Sequence, residues 1–410
     1  MTAKHCRFCD ADLKRTFVDL GRSPLANSLL SAEDIEHSEA FYPLHAYVCD
    51  QCLLVQLQEF AHAENIFNNY LYFSSYSQLW LNHCREYADQ MSKRYALHAR
   101  SLVVEIASND GYLLQYFKER GIGVLGVEPA ANVAKVAQDK GIPTEVAFFG
   151  VETALRLAAA GKSADIMAAN NVLAHVPDLH DFVAGFKTLL KPTGTATFEF
   201  PHLLCLIEDK QFDTIYHEHF SYFSFFVVDK IFARHGLHIY DVEMLPTHGG
   251  SLRIFVCHAD APFARSGKVN DVVARERAAG LDHIETYAGF VNSVVDIKCR
   301  LLAFLIEARS SGKAVAGYGA PAKANTLLNY CGVGPELLPF TVDISPHKQG
   351  RYLPGVQIPI FAPDHIFAAR PDFVLILPWN IKEEIMEKMA AIRDWGGRFV
   401  IAIPSLTVLP

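Results

Sequence analysis

The chain has 410 residues, with 37 Lys+Arg against 45 Asp+Glu for a net charge of −8; half of it is hydrophobic and 20% charged. That excludes general disorder and leaves enough apolar material for two or three packed domains. The acidity is spread along the chain, so nucleic acid is excluded as a partner, and no apolar run reaches the ~20 residues of a membrane helix.

The N-terminus, MTAKHCRFCDADLKR, lacks the apolar core of a signal peptide, and the expected compartment is the cytoplasm. Nine cysteines is an odd number, and four of them fall in the short, turn-rich block 1–65. Cys6 and Cys9 form C-R-F-C, and Cys49 and Cys52 form C-D-Q-C. Each CxxC sets two thiolates on one side of a tight turn, and two such turns complete a tetrahedral four-thiolate zinc site with no open position. Such a zinc is structural, stabilising a segment too short for its own core. The alternative is two unrelated pairs, one of them redox-active. Zinc ribbons also bind nucleic acid, but the intervening SAEDIEHSEAF is too acidic for phosphate contact. Cys84, Cys205, Cys257, Cys299 and Cys331 are isolated and read as packing residues.

Residues 66–265 alternate strand-like runs (SLVVEIA, VLGVEP, ADIMAAN, TATFEF, SLRIFV) with helical patterns, which predicts βαβ units around a mostly parallel sheet. SLVVEIA carries Glu105 and runs into Ala107, Asn109, Asp110 and Gly111, with a helix expected from about Tyr112. A glycine-containing strand-to-helix turn lets backbone amides approach a ligand. Glu128, followed by Pro129, ends the next strand 23 residues after Glu105, where an acid can accept both hydroxyls of a ribose. That pattern fits NAD or S-adenosylmethionine. E-x-A-x-N-D-G is nearer the E-x-G-x-G-x-G loop of class I methyltransferases, with Asn109 a tolerable occupant of a left-handed position. The segment NNVLAHVP adds Asn171 and His175.

The strip FDTIYHEHFSYFS, residues 212–224, holds Tyr216, His217, Glu218, His219 and Tyr222 within seven positions. It suits a metal site, a general base oriented by neighbours, or an aromatic-rich core segment. His248, in T-H-G-G-S, is a further candidate for the same pocket.

A polar, helix-prone stretch from about Lys268 to Ser310 leads into the third block, 266–410. There AVAGYGA, PFTVDIS, FVLILP and FVIAIP read as buried strands. G-Y-G-A-P-A, with Gly319, nearly meets a dinucleotide fingerprint, so NAD and an oxidoreductase reading stay open. Lys323 directly after it, at a helix start, suits a diphosphate.

Taken together, CRFC…CDQC, EIASNDGYLL, VEPAANVA, ANNVLAHVPD, FDTIYHEHFSYFS, LPTHGGSLR and GYGAPAKANTLLNY…DISPHKQGRYLPG resemble the sugar C-methyltransferases of deoxysugar biosynthesis over essentially the whole chain. The resemblance implies an α/β architecture of three parts: a four-cysteine zinc module, a class I (Rossmann-like) methyltransferase domain and a C-terminal Rossmann-like domain. The cofactors it implies are structural zinc and S-adenosylmethionine, held by Glu105, Ala107, Asn109, Asp110, Gly111, Glu128, Pro129 and Asn171. The partner is a nucleoside-diphosphate (dTDP-linked) 4-keto deoxysugar, contacted by His248, Gly319, Lys323, Lys348, Arg351, Trp379 and Asn380. His219 becomes the base that deprotonates the carbon beside the ketone, with Tyr216 and Glu218 next to it and Tyr72 and His175 lining the pocket. His217 stands where the family has Asp, and Ala107 replaces a family glycine. The rival readings are an NAD-dependent sugar-nucleotide oxidoreductase and an inactive zinc-ribbon scaffold. Oligomeric state is left open, a monomer included, as is the choice of α-carbon.

Overall fold

Phe17, Val18 and Leu20 turn the first block into a sheet. They lie in β1 (Arg15–Ser23), which pairs antiparallel with β2 (Tyr42–Val48), itself antiparallel to β3 (Val55–Leu57). A register shift between Thr16 and Val18 lets the neighbours Phe17 and Val18 both face inward. The structure, a computed structural model, describes residues 4–60 and 74–410.

The middle block forms β4 (Leu102–Ile106), β5 (Gly123–Val127), β6 (Thr144–Glu145), β7 (Ala164–Asn170) and β8 (Leu190–Pro201), joined parallel. After a two-residue strand β9 (Ser221–Tyr222), β10 (Leu237–Leu245) and β11 (Ser251–His258) complete a seven-stranded sheet ordered β10-β11-β8-β7-β4-β5-β6. β11 runs antiparallel to both of its neighbours. Strand order reverses between β4 and β7, so the crevice beyond their carboxyl ends is the expected ligand position. Arg253 on β11 lies opposite Glu199 on β8 and Glu243 on β10. Only 2% exposed, it bonds both, at 2.7 and 2.9 Å, while His83 of the helix Gln78–Arg94 reaches Glu199 at 2.8 Å. This buried network fixes that helix across the sheet.

β9 does not join the middle sheet. It pairs with β3, giving the first sheet the order β1-β2-β3-β9, so the histidine-rich strip is shared between the zinc module and the methyltransferase fold.

The last block builds β12 (Val315–Tyr318), β13 (Thr341–Val342), β14 (Ile360–Phe361), β15 (Phe373–Ile376) and β16 (Arg398–Ile401), all parallel, with β17 (Thr407–Leu409) antiparallel at one edge. The order β14-β13-β12-β15-β16-β17 reverses between β12 and β15. Gly319 follows β12 with φ +95°, and a Cβ there would lie 2.5 Å from Pro378 after β15, so the switch point closes only around glycine.

Several boundaries differ from expectation. The helix after SNDG starts at Leu114, because Ser108–Gly111 closes a turn (Gly111 N–H to the Ser108 carbonyl, 3.0 Å). The polar stretch 268–310 is two helices, Gly267–Ala278 and Phe290–Ser310, interrupted where Gly280 takes φ +77° and a 3-10 turn follows at Ile284–Gly289. β10 and the helix Phe225–Arg234 have no counterpart in the sequence reading. Cys299 is exposed on the outer helix face, not packed, whereas Cys84, Cys257 and Cys331 are buried. Among the described residues no helix is long and apolar enough to cross a membrane.

Candidate active site

The strip 212–224 is held from three sides. Upstream, the C-terminal domain grips it: the Trp379 indole N–H donates to Asp213 (2.8 Å), the Thr326 hydroxyl donates to the Ile215 carbonyl (3.0 Å), and Phe212 meets Tyr330 edge-on. Downstream, the zinc module grips it: β9 pairs with β3, the Leu57 N–H donates to the Phe220 carbonyl, His217 donates to the Pro43 carbonyl (3.2 Å), and the Asn27 amide donates to Glu218 (2.8 Å). From the middle domain, the Ala174 carbonyl accepts from the Phe220 N–H at 2.7 Å.

Tyr216 and His219 sit between these grips. The His219 Nδ1–H donates to the Thr214 carbonyl at 2.9 Å. That leaves Nε2 as the acceptor in a neutral ring, where the Tyr216 hydroxyl donates at 2.8 Å. The backbone therefore selects one tautomer and aims the lone pair of Nε2 at the phenol. His175 packs edge-on against His219, centroids 4.7 Å apart, and a small cavity lined by Ala174, Pro201, Thr214 and Tyr222 opens beside it.

Burial, then the nearby His175, and further the His248 and Lys323 charges hold His219 well below the ordinary histidine range. Burial takes His175 down to about 4, and burial with the Lys323 charge does the same to His248. All three rings are thus neutral at pH 7. The carboxyls move the other way: burial raises Glu218 to about 7 and Asp213 to about 6.

At the β4/β7 crevice the loop after β4 carries Ala107 (φ 54°), Asn109 (φ 49°) and Gly111 (φ 79°). Asn109 occupies the left-handed position expected of it, and Ala107 accepts one too, at a strain of about 1–2 kcal/mol. Glu128 accepts the backbone N–H groups of Asn109 (2.9 Å) and Ala130 (2.8 Å), with Pro129 half-buried between, so it pins the loop as well as facing the crevice. Glu105 is fully buried; the Tyr112 phenol reaches toward it without meeting hydrogen-bond geometry. Burial, then the Asp110 and Glu128 charges, hold it well above the usual carboxylate range. Lys140 pairs with Asp110 (3.3 Å), but among the described residues Glu105 and Glu128 have no ion-pair partner. Desolvated carboxylates of this kind fit a cationic ligand, and S-adenosylmethionine carries a sulfonium and an ammonium. Asn171 (φ 56°) lies across the crevice, its amide 3.2 Å from His248 Nε2. Trp80, which no motif singled out, stacks on His83 and meets His248 and Tyr112 at 5.5 and 6.0 Å. Tyr72 lies outside the described residues.

The sulfurs of Cys6, Cys9, Cys49 and Cys52 all lie within 4.8 Å of one another. Tetrahedral thiolates 2.3 Å from a metal would stand about 3.8 Å apart, so the cluster fits zinc. Gln56 donates to the Cys6 sulfur at 3.1 Å, the kind of outer contact that orients a ligand.

In the C-terminal loop, Asp343 accepts the N–H groups of Ala320 (2.8 Å) and Ser345 (2.9 Å) and pairs with Lys348 (3.5 Å). Unlike Glu128, this acid is neutralised by an ion pair within its own domain, and Lys348 also donates to the Ala320 carbonyl at 2.9 Å. Lys323 donates to Asn380 (2.8 Å) with its ammonium 4.8 Å above the Trp379 ring. Trp379 itself, 8% exposed, is a junction residue rather than an open platform for a base: it bonds Asp213 and packs on Gly249, where a Cβ would meet it at 2.5 Å. Arg351 lies outside this cluster, its charge felt by Asp34. The structure thus brings His175, Tyr216, His219, His248, Asn171, Lys323, Trp379 and Asn380 together. Asn27, Asp213 and the Thr214 carbonyl carried no sequence signal, because each matters only through a contact made between domains.

Three family models match the chain: a zinc binding domain over residues 6–67, a methyltransferase domain over 80–242, and a C-methyltransferase C-terminal domain over 246–404. The C-methyltransferase NovU of Streptomyces niveus is 36% identical over 404 residues, spanning 98% of this chain and 96% of that protein. Among solved structures, an S-adenosylmethionine-dependent methyltransferase from Clostridium acetobutylicum overlaps 43% of this chain and 92% of its own (10% identity, TM-score 0.35). Magnesium protoporphyrin IX methyltransferase from Synechocystis PCC 6803, solved with bound SAM, overlaps 44% and 81% (16% identity, TM-score 0.33).

Proposed function

The chain belongs to the S-adenosylmethionine-dependent C-methyltransferase family, and on that premise we propose that it methylates the carbon beside the ketone of a nucleoside-diphosphate-linked 4-keto deoxysugar, with His219 as the base. The observation that carries this reading is the Thr214–His219–Tyr216 chain of hydrogen bonds, which presents a neutral imidazole of fixed tautomer next to a phenol.

Bound S-adenosylmethionine supplies a methyl group made electrophilic by its sulfonium. Glu128 and the Asn109 loop are assigned to its ribose, and Glu105 to its positive charge. In the ligand-free arrangement the Tyr216 hydroxyl caps His219 Nε2. A substrate ketone that takes over this hydrogen bond frees the Nε2 lone pair and receives the phenol at the oxygen where enolate charge develops. His219 then takes the α-proton onto Nε2. Bound S-adenosylmethionine would supply the methyl group to the enolate carbon and leave as the neutral thioether, and His219 then returns its Nε2 proton to water. Because burial disfavours the imidazolium, His219 is a weak base on its own. Proton transfer therefore depends on enolate stabilisation by the Tyr216 phenol. Lys323 and Asn380 face the nucleotide end of the substrate, with Lys348 on the loop beside it.

Mass spectrometry of NDP-4-keto sugars incubated with S-adenosylmethionine tests the proposal. A gain of one methyl group, placed on carbon by fragmentation, is the expected result. Methylation of oxygen or nitrogen, or no turnover of any keto sugar, refutes it.

A further inference from the structure

The segment 24–30, PLANSLL, belongs to the zinc module but is fastened at both ends to the C-terminal domain. At one end Pro24 lies against Gly355, where a Cβ would come within 3.0 Å of the proline ring. At the other, Leu30 and Tyr352 exchange both backbone hydrogen bonds, at 3.0 and 2.9 Å. Between these fastenings a tight turn (Leu29 N–H to the Asn27 carbonyl, 2.9 Å) presents Asn27 to the histidine-rich strip, and its amide donates to Glu218 at 2.8 Å. Asn27 is exposed to solvent, whereas Glu218 is 3% exposed, so the amide covers the carboxyl from the open side.

We propose that Asn27 is a positioning residue of the active site: it fixes the Glu218 side chain, and the backbone carbonyl of that residue meets the His175 ring that packs against His219. The inference rests on the function proposed above only for its catalytic consequence; the Asn27–Glu218 link stands without a substrate. Two donors of Asn27, the amide and its backbone N–H, favour the ionised carboxylate against the opposing effect of burial. The other titratable groups around Glu218 are His175, whose ring meets the Glu218 carbonyl, the chain neighbours His217 and His219, and Tyr222 on β9 with Arg7 behind it. None of these is altered by a change at Asn27.

The test is an infrared titration of the Glu218 carboxyl in the full-length zinc-loaded protein, its band assigned by loss in Glu218→Gln. The wild-type midpoint is expected at about 7. Asn27→Ala should raise it by about 1–2 pH units, the 1.5–3 kcal/mol of a hydrogen bond to a charged group converted at 1.36 kcal/mol per unit. Zinc content should be unchanged, and the melting temperature should be unchanged at pH 5.5 and fall only above the wild-type midpoint, where the carboxyl ionises. If Asn27→Ala does not fold, the isosteric Asn27→Asp, which turns the donor into an acceptor, should raise the midpoint at least as far. With a keto-sugar substrate, kcat should fall about tenfold with KM little changed, and Asn27→Ala should add nothing in the Glu218→Gln background. An unshifted midpoint, or losses that add independently in the double variant, overturns the proposal. A shifted midpoint in an enzyme whose wild type methylates no keto sugar upholds the link and places the failure in the proposed reaction.

Discussion

Trp379→Phe should destabilise the protein in a way that depends on pH, because the indole N–H it removes donates to a buried carboxyl. Asp213 is fully buried, and burial raises it from 3.8 to about 6. Since the folded value lies above the unfolded one, Asp213 leaves stability untouched below pH 3.8 and opposes folding increasingly up to about pH 6. Loss of a hydrogen bond to a charged group is worth about 1.5–3 kcal/mol, or about 1–2 pH units. A rise of roughly 1.5 units carries Asp213 to roughly 7.5, so the lost bond costs about 0.2 kcal/mol at pH 5.5 and about 2 kcal/mol at pH 8. The smaller ring also leaves a cavity, but that penalty is the same at both pH values. Urea midpoints followed by circular dichroism at pH 5.5 and 8 separate the two contributions. The Asp213→Asn background should abolish the pH-dependent part. A Trp379→Phe penalty that is flat with pH would refute the assignment of Asp213 as the indole's ionisable partner.

Cys49→Ser should release about one zinc per chain, measured by metal analysis, and lower the melting temperature, because structural zinc contributes its binding free energy to folding. Glu128→Ala should weaken S-adenosylmethionine by about 1.5–3 kcal/mol in calorimetry. The same variant loses the two backbone hydrogen bonds that pin the Asn109 loop, so its binding entropy should also become less favourable.

Much of the fold was legible because period and punctuation agreed with the final packing: SLVVEIA, VLGVEP, ADIMAAN and the four C-terminal runs are strands β4, β5, β7, β12, β13, β15 and β16. The paired CxxC motifs were legible because metal geometry demands local spacing, and the sulfurs do cluster. β10 escaped notice because LHIYDVEML alternates weakly and carries Asp241 and Glu243, whose charges are balanced by Arg94 and Arg253 from elsewhere in the chain. The site was legible as residue types but not as an arrangement. His219 stood out in its strip, yet its tautomer is set by a backbone carbonyl, and Asn27 meets Glu218 from 191 positions away. The resemblance implies Trp379 as a substrate contact; that its indole N–H also ties the C-terminal domain to Asp213 is a contact between domains that no local pattern encodes.

Solvent exchange at the substrate's α-carbon, followed by mass spectrometry in deuterated buffer with S-adenosylhomocysteine in place of the methyl donor, isolates the proton-transfer step from methylation. Wild-type protein should wash in one deuterium at the carbon that is otherwise methylated. His219→Ala should lose both exchange and methylation by at least about a hundredfold, the range for a positioned acid–base group, while still binding both nucleotides. Near-normal exchange and turnover in His219→Ala would contradict its role as the base and move that role to His175 or His248.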